Sequence, residues 1–96
     1  MSLNKNKRIN KIRRKLDSLD DKLLNIIKQR TKLVQKVLAN KTSKSQIVDR
    51  RRIRIILRNI KKKSLAKNID TILTNKIWSN MIKAYINFEY RKFKKK

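Results

Sequence analysis

Apolar residues recur every three or four positions through the first part of the chain. This spacing places them on one side of an α-helix and predicts a first helix over about residues 6–41. At 1.5 Å per residue, such a helix is roughly 50 Å long, which is longer than a small domain is wide. Only Arg30 interrupts its apolar seam, which consists of Ile9, Ile12, Leu16, Leu19, Leu23, Ile26, Leu33 and Val37.

Two shorter helices are predicted after a polar segment. The stretch NKTSKSQ, residues 40–46, is rich in residues that favour caps and turns, so it predicts a loop. A second helix over 47–62 and a third over 69–92 follow, and Asp70 suits the first turn of the third. Their apolar faces hold Val48, Ile53, Ile56, Leu57 and Ile60, and then Leu73, Ile77, Trp78, Met81, Ile82 and Tyr85.

The three predicted helices differ greatly in length, and this difference bears on the fold. The chain contains no Gly and no Pro, the residues on which β-hairpins and tight turns rely, so we expect an all-α fold in a single domain over 1–96. A three-helix monomer would leave much of the long first seam in water. We therefore expect an intertwined homodimeric helical bundle in which the long helices pair antiparallel.

The composition is strongly basic and excludes several kinds of chemistry. The chain has 30 Lys+Arg against 6 Asp+Glu, a formal charge of +24, with no Cys and no His. Disulfides, Cys or His zinc sites and His-based catalysis are therefore excluded, and we expect neither a metal nor a cofactor. No apolar run approaches the ~20 residues that span a bilayer, and the basic start is not followed by the apolar core of a signal peptide. We expect a cytoplasmic protein.

Two cations of the first helix share one face. Arg30 and Lys41 are eleven residues apart, close to three helical turns, so both project from nearly the same side. Arg13 points about 100° away from Arg30 and could reach a site of a partner subunit.

Charged residues also lie beside the apolar faces of the other two helices. Asp49 and Arg52 share one side of the second helix with Ile53, and Glu89 continues the line of Tyr85 in the third. Each charge taken alone is typical of a solvated position at the edge of an apolar stripe. Together with the cations of the first helix, they predict a cationic pocket inside a helical bundle.

Three stretches resemble the AroQ-type chorismate mutases, in order along the chain. IRRKLDSLDDKLLNIIKQRTKLVQKVLANK, 12–41, is similar to the family's first helix, with a leading Arg, an LD..LL.L...R core and a terminal Lys. IVDRRRIRIILRNI, 47–60, and IWSNMIKAYINFEY, 77–90, resemble the second and third helices. The resemblance implies isomerisation of chorismate to prephenate in phenylalanine and tyrosine biosynthesis. This pericyclic rearrangement needs no nucleophile, metal or cofactor.

The resemblance also implies roles for the residues of the pocket. Arg30 would hold one substrate carboxylate, and Arg13 of the other subunit would hold the second. Lys41 would reach the ether oxygen and a carboxylate. Glu89 stands at the family's Gln or Glu position beside the ether oxygen, where it must be protonated to donate a hydrogen bond.

Four further positions lie on the second and third helices. Asp49, chiefly through its backbone, and Arg52 would line the side near the ring hydroxyl. Ile53 replaces the Glu that usually follows this Arg, and Tyr85 replaces a small hydroxyl residue and could crowd the pocket. A missing hydrogen bond of this kind costs on the order of 1 to 3 kcal/mol, which predicts weakened activity.

Nucleic-acid binding is the competing class of function. A charge of +24 binds polyanions nonspecifically at low salt by counterion release, and RRRIRIILR is typical of a basic helix that sits on phosphates. However, the chain has no recognised helix-turn-helix, zinc finger or zipper, and its basic residues are spread over all three helices. A membrane-surface helix is a weaker interpretation, because the predicted dimer already uses the apolar faces.

Overall fold

The structure, a computed structural model, describes residues 3–94, with side chains from Lys5 onwards. These residues form three α-helices, α1 (Leu3–Ala39), α2 (Arg50–Ala66) and α3 (Thr71–Lys92), with a short 3₁₀ turn at Lys44–Gln46. No strand occurs in this part of the chain, which confirms the predicted all-helical fold. Between residues 3 and 94, no helix combines the length and apolarity of a membrane span.

Side-chain caps set where α2 and α3 begin. Asp49 precedes α2, and its carboxylate accepts a hydrogen bond from the backbone N–H of Arg52 at 3.0 Å. Asp70 does the same for α3, accepting from Ile72 N at 2.8 Å and Leu73 N at 3.2 Å. Each cap satisfies N–H groups that have no partner inside the helix. Both helices therefore start slightly later than the apolar pattern predicted.

A left-handed residue ends α2. Asn68 has φ 58°, a conformation that Asn tolerates better than most residues. Ile69 N donates to Ser64 O at 2.9 Å and Asn68 N to Leu65 O at 3.2 Å. These two bonds form a Schellman motif, so α2 runs on to Ala66 rather than ending near residue 62 as predicted.

The chain divides into two compact units at Lys36. The first unit holds most of α1, whose seam side chains are exposed, for example Leu16 at 54% and Leu23 at 54%. A row of apolar side chains at this exposure is a potential contact surface. The intertwined homodimer and the single domain over 1–96 stay predictions.

The second unit, from Val37 on, contains α2 packed against α3. A pair of buried hydroxyl groups joins the two helices, with Ser64 Oγ and Thr74 Oγ1 2.8 Å apart. Ser64 Oγ also lies 2.6 Å from Ile60 O and Thr74 Oγ1 lies 3.3 Å from Asp70 O, so either hydroxyl can be the donor between the two. This contact fixes the register of α2 on α3 next to the turn that connects them.

Candidate anion site at Lys41 and Glu89

Two of the predicted site residues meet in the second unit. Lys41 Nζ lies 3.4 Å from Glu89 Oε2, and the side chains are only 17% and 12% exposed. The residues are 48 positions apart in sequence. Lys41 comes two residues after the end of α1, and Glu89 lies near the end of α3. The structure therefore brings together the predicted catalytic pair in a mostly buried setting.

The loop after α1 supplies a second acceptor for Lys41. Its ammonium group lies 3.5 Å from the backbone carbonyl of Ile47, a residue that is 4% exposed. The loop before Ile47 is shaped by the side chain of Gln46, whose Oε1 accepts from Thr42 N at 2.6 Å and Ser43 N at 3.3 Å. A lysine has three N–H donors, so Lys41 retains one for a bound anion.

Glu89 is the other half of the pair, and its two protonation states have different uses. The residue is 9% exposed, and its carboxylate accepts from Lys41. An ionised carboxylate can only accept hydrogen bonds, whereas the protonated acid can donate one. The ion pair observed here uses the first form, and donation to a substrate oxygen would use the second.

Three further predicted site residues lie at the start of α2. The carboxylate of Asp49 is engaged as the helix cap, and its carbonyl accepts from Ile53 N at 3.0 Å. These bonds engage its side chain and its carbonyl, and a contact of its backbone N–H with a ligand stays a prediction. Arg52 is exposed and Ile53 is half-buried.

Tyr85 lies one helical turn before Glu89 on α3. Its half-buried ring packs edge to face on Phe88, with ring centroids 6.2 Å apart and an interplanar angle of 86°. Such a contact restricts the ring and stabilises its orientation.

Arg13 and Arg30 lie on α1 in the first unit. Arg13 is exposed and Arg30 is half-buried. Their approach to Lys41 and Glu89 stays a prediction. Within residues 3–94, no group of three or more acidic residues could hold a metal ion.

Sequence reasoning missed the contribution of the loop. The pair Ser43 and Gln46 has the spacing of a capping box, in which a residue three positions after the cap bonds back to the backbone. That signal was present in NKTSKSQ, which predicted only a loop. The contact of Lys41 with the Ile47 carbonyl depends on this turn and had no signal of its own.

One family comparison gives a match. A family model described as chorismate mutase type II matches residues 12–90. The matched range begins on α1, ends just after Glu89 and includes every predicted site residue. No curated protein and no solved structure gives a match to the chain.

Proposed function

Because the chain belongs to the chorismate mutase type II family, we propose that it isomerises chorismate to prephenate in phenylalanine and tyrosine biosynthesis. The observation that best supports the proposal is the meeting of Lys41 and Glu89, 48 residues apart, in a mostly buried position. The reaction calls for a cation and a hydrogen-bond donor beside its breaking bond, and Lys41 and a protonated Glu89 would supply them.

The reaction is a rearrangement within one molecule. A C–O bond of the substrate breaks while a C–C bond forms, and no atom or electron is exchanged with the protein. Catalysis then comes from holding a flexible dianion in its reactive conformer and from stabilising negative charge on the ether oxygen. Arg30 binds one carboxylate and Arg13 of a partner subunit binds the other, since the guanidinium fork matches a carboxylate.

Lys41 changes partner when the substrate binds. In the structure its ammonium group faces Glu89 and the Ile47 carbonyl at 3.4 and 3.5 Å, both longer than the 2.7 to 2.9 Å typical of charge-assisted bonds. These long contacts are easily exchanged for shorter ones to the ether oxygen and a substrate carboxylate. Because the side chain of Lys41 is mostly buried, little water competes for these hydrogen bonds, and they are stronger for that reason.

Glu89 acts as a neutral acid in this mechanism. Substrate brings negative charge to the pocket, and a second anion beside the ether oxygen would oppose the reaction. Glu89 therefore takes up a proton and donates a hydrogen bond to the ether oxygen. Activity should then fall as rising pH ionises this carboxyl group.

The backbone of Asp49 and the side chain of Arg52 line the side of the substrate hydroxyl. Ile53 offers no polar group there, and Tyr85 reduces the room one turn before Glu89. We infer a slower enzyme than one with a polar residue at position 53. The alternative is a mutase-like dimer that has lost most of its activity.

The test follows the loss of chorismate absorbance with purified protein, beside Arg30→Ala and a matched Lys28→Ala variant. Lys28 is an exposed cation of the same helix and has no role in the mechanism. We expect turnover in the wild type and in Lys28→Ala, with a loss of at least tenfold in Arg30→Ala. Turnover no faster than the uncatalysed rate in a folded helical protein would reject the enzyme in favour of the alternative.

A further inference from the structure

The second helix carries a row of cations on one side. At 100° per residue, six of its basic residues fall within an arc of about 120°, while the apolar positions that face α3 lie on the other side. We call these six residues the α2 stripe: Arg50, Arg51, Arg54, Arg58, Lys61 and Lys62.

Within residues 3–94, no carboxylate neutralises the α2 stripe. All six side chains are exposed, and none makes a hydrogen bond or ion pair with another described residue. α2 has no acidic residue, and the three acids of the second unit are committed elsewhere: Asp49 and Asp70 cap helices, and Glu89 pairs with Lys41. The stripe therefore presents its full positive charge to the solvent.

The type of cation distinguishes the α2 stripe from the rest of the basic surface. Only ten of the 30 basic residues are arginine, and four of those ten belong to the stripe. A general rise in basic residues would not concentrate arginine in one short segment. Arginine is also the cation best suited to phosphate, because its planar fork donates two parallel hydrogen bonds.

The length of the stripe can be compared with the charge density of a nucleic-acid duplex. From Arg50 to Lys62 the helix rises about 18 Å at 1.5 Å per residue. A duplex carries about ten phosphates over that length of its axis, one per 1.7 Å with both strands counted, so its two strands together offer a partner to each of the six cations. The stripe contains no aromatic residue on which an unpaired base could stack. This absence favours a duplex backbone over a single strand.

A shallow cavity widens the basic surface next to the stripe. Its walls include Arg58 and Lys61 from α2 and Lys76 from α3, and its volume is about 560 Å³. Lys76 adds a cation from the neighbouring helix on the same side as the end of the stripe. Although most of the cavity wall is apolar, one cation of α3 thus adjoins the end of the stripe.

We propose that the α2 stripe binds the phosphate backbone of double-stranded nucleic acid without sequence preference, separately from the mutase site. None of its six residues has a role in the proposed reaction. The surface is formed within one chain, so it does not depend on the dimer. The proposal also stands if the protein turns over no chorismate.

The experiment measures binding of a fluorescent mixed-sequence DNA duplex by anisotropy across a salt series. The test variant is the triple substitution Arg54→Gln, Arg58→Gln and Lys61→Gln. The control is Lys44→Gln, Lys83→Gln and Lys92→Gln, which removes the same charge from exposed positions of the same unit. Glutamine preserves helix propensity, and circular dichroism checks that both variants remain helical.

Six phosphate contacts predict a slope of log K against log salt of about −5, and three contacts predict about −3. We expect the wild type and the control near the steeper value and the stripe variant near the shallower one. At about 0.1 M salt, this difference corresponds to binding weakened by two orders of magnitude or more in the stripe variant.

Two results would overturn the proposal. If the control loses as much affinity as the stripe variant, binding reflects total charge and not this surface. If the wild type binds phosphatidylserine vesicles more tightly than the duplex at equal salt, the stripe is a membrane surface. Chorismate turnover is measured on the same samples. If the wild type is active, the stripe variant and the control should turn over chorismate at the same rate as the wild type. A drop confined to the stripe variant would contradict the separation of the two sites.

Discussion

Replacing Glu89 with glutamine tests the proposed chemistry most directly. The carboxyl group of Glu89 is mostly buried and lies 3.4 Å from Lys41. Glutamine has nearly the same shape, and its amide donates a hydrogen bond at every pH. In the wild type, only the protonated carboxyl group can donate. The substitution therefore fixes position 89 in the form that the reaction requires.

The expected size of the effect follows from one hydrogen bond. A bond to a group with developing charge contributes about 1.5 to 3 kcal/mol, which corresponds to about 10- to 150-fold in rate. At alkaline pH we expect Glu89→Gln to exceed the wild type by at least tenfold in kcat. At acidic pH the two proteins should be similar, because the wild-type carboxyl group is then protonated.

Protein stability should change little. The ion pair with Lys41 is mostly buried but long at 3.4 Å, and the loss of one weak hydrogen bond to a charged group costs about 1 kcal/mol. Glutamine also keeps an oxygen that can accept from Lys41. A fall in Tm of more than about 8 °C would therefore show that the pair is mainly structural.

The assay is a pH-rate profile of chorismate loss for three proteins: wild type, Glu89→Gln and Glu89→Ala. Alanine removes the donor altogether, so that variant should be slow at every pH. A wild-type profile that is flat from mildly acidic to mildly basic pH, with no gain in Glu89→Gln, would refute the neutral-acid role. Equal rates in Glu89→Gln and Glu89→Ala would show that no donor is needed at this position.

Three further predictions concern single contacts. Lys41→Gln should lower kcat about 10- to 100-fold, while Lys44→Gln, an exposed cation of the adjacent loop, should leave it unchanged in the same assay. Ile53→Glu should raise kcat/KM several-fold if a polar contact to the substrate hydroxyl is missing, and Ile53→Gln separates charge from hydrogen bonding. Ser64→Ala leaves Thr74 without its hydroxyl partner and should cost about 1 to 3 kcal/mol in thermal unfolding, whereas the exposed Asn59→Ala should cost less than about 0.5 kcal/mol. An unchanged Tm in Ser64→Ala would show that the hydroxyl pair is not a stabilising contact.

The helices could be predicted because their signals are local. The seam around Leu19 and Leu23 gives α1 its period, and Asp70 gives α3 its start. The end of α2 was missed because the polar run after Ile60 looks like the end of an apolar stripe. The helix in fact stops where Asn68 turns left-handed and the Schellman bonds form, and a lone Asn is a weak signal for such a turn.

The site was harder to predict, because its contacts join distant parts of the chain. Periodicity predicted Lys41 on the first helix, which is wrong, because the residue lies two positions beyond the end of α1. Periodicity also cannot bring Lys41 within 3.4 Å of Glu89, 48 residues away. The charges beside the apolar faces predicted a shared pocket, and the family resemblance placed both residues beside the ether oxygen of the substrate. The carbonyl of Ile47 reaches Lys41 only through the turn that Gln46 closes, and backbone groups leave no trace in a residue pattern.

The few carboxylates of the chain show where a specific contact is needed. The chain has only six acidic residues against 30 basic ones. One acidic residue changes the net charge of +24 very little, so neutralising the overall charge does not explain the position of any of them. Three of the six have a defined geometric role, because Asp49 and Asp70 each hold the first turn of a helix and Glu89 faces Lys41. Replacing Asp49 or Asp70 would remove the cap of a helix, because a cap requires a hydrogen-bond acceptor at that position. Replacing Glu89 with a cation or an apolar residue would remove no cap. The carboxyl group there, in so basic a chain, has Lys41 as its partner, and the variants of Glu89 decide whether that contact serves catalysis or stability.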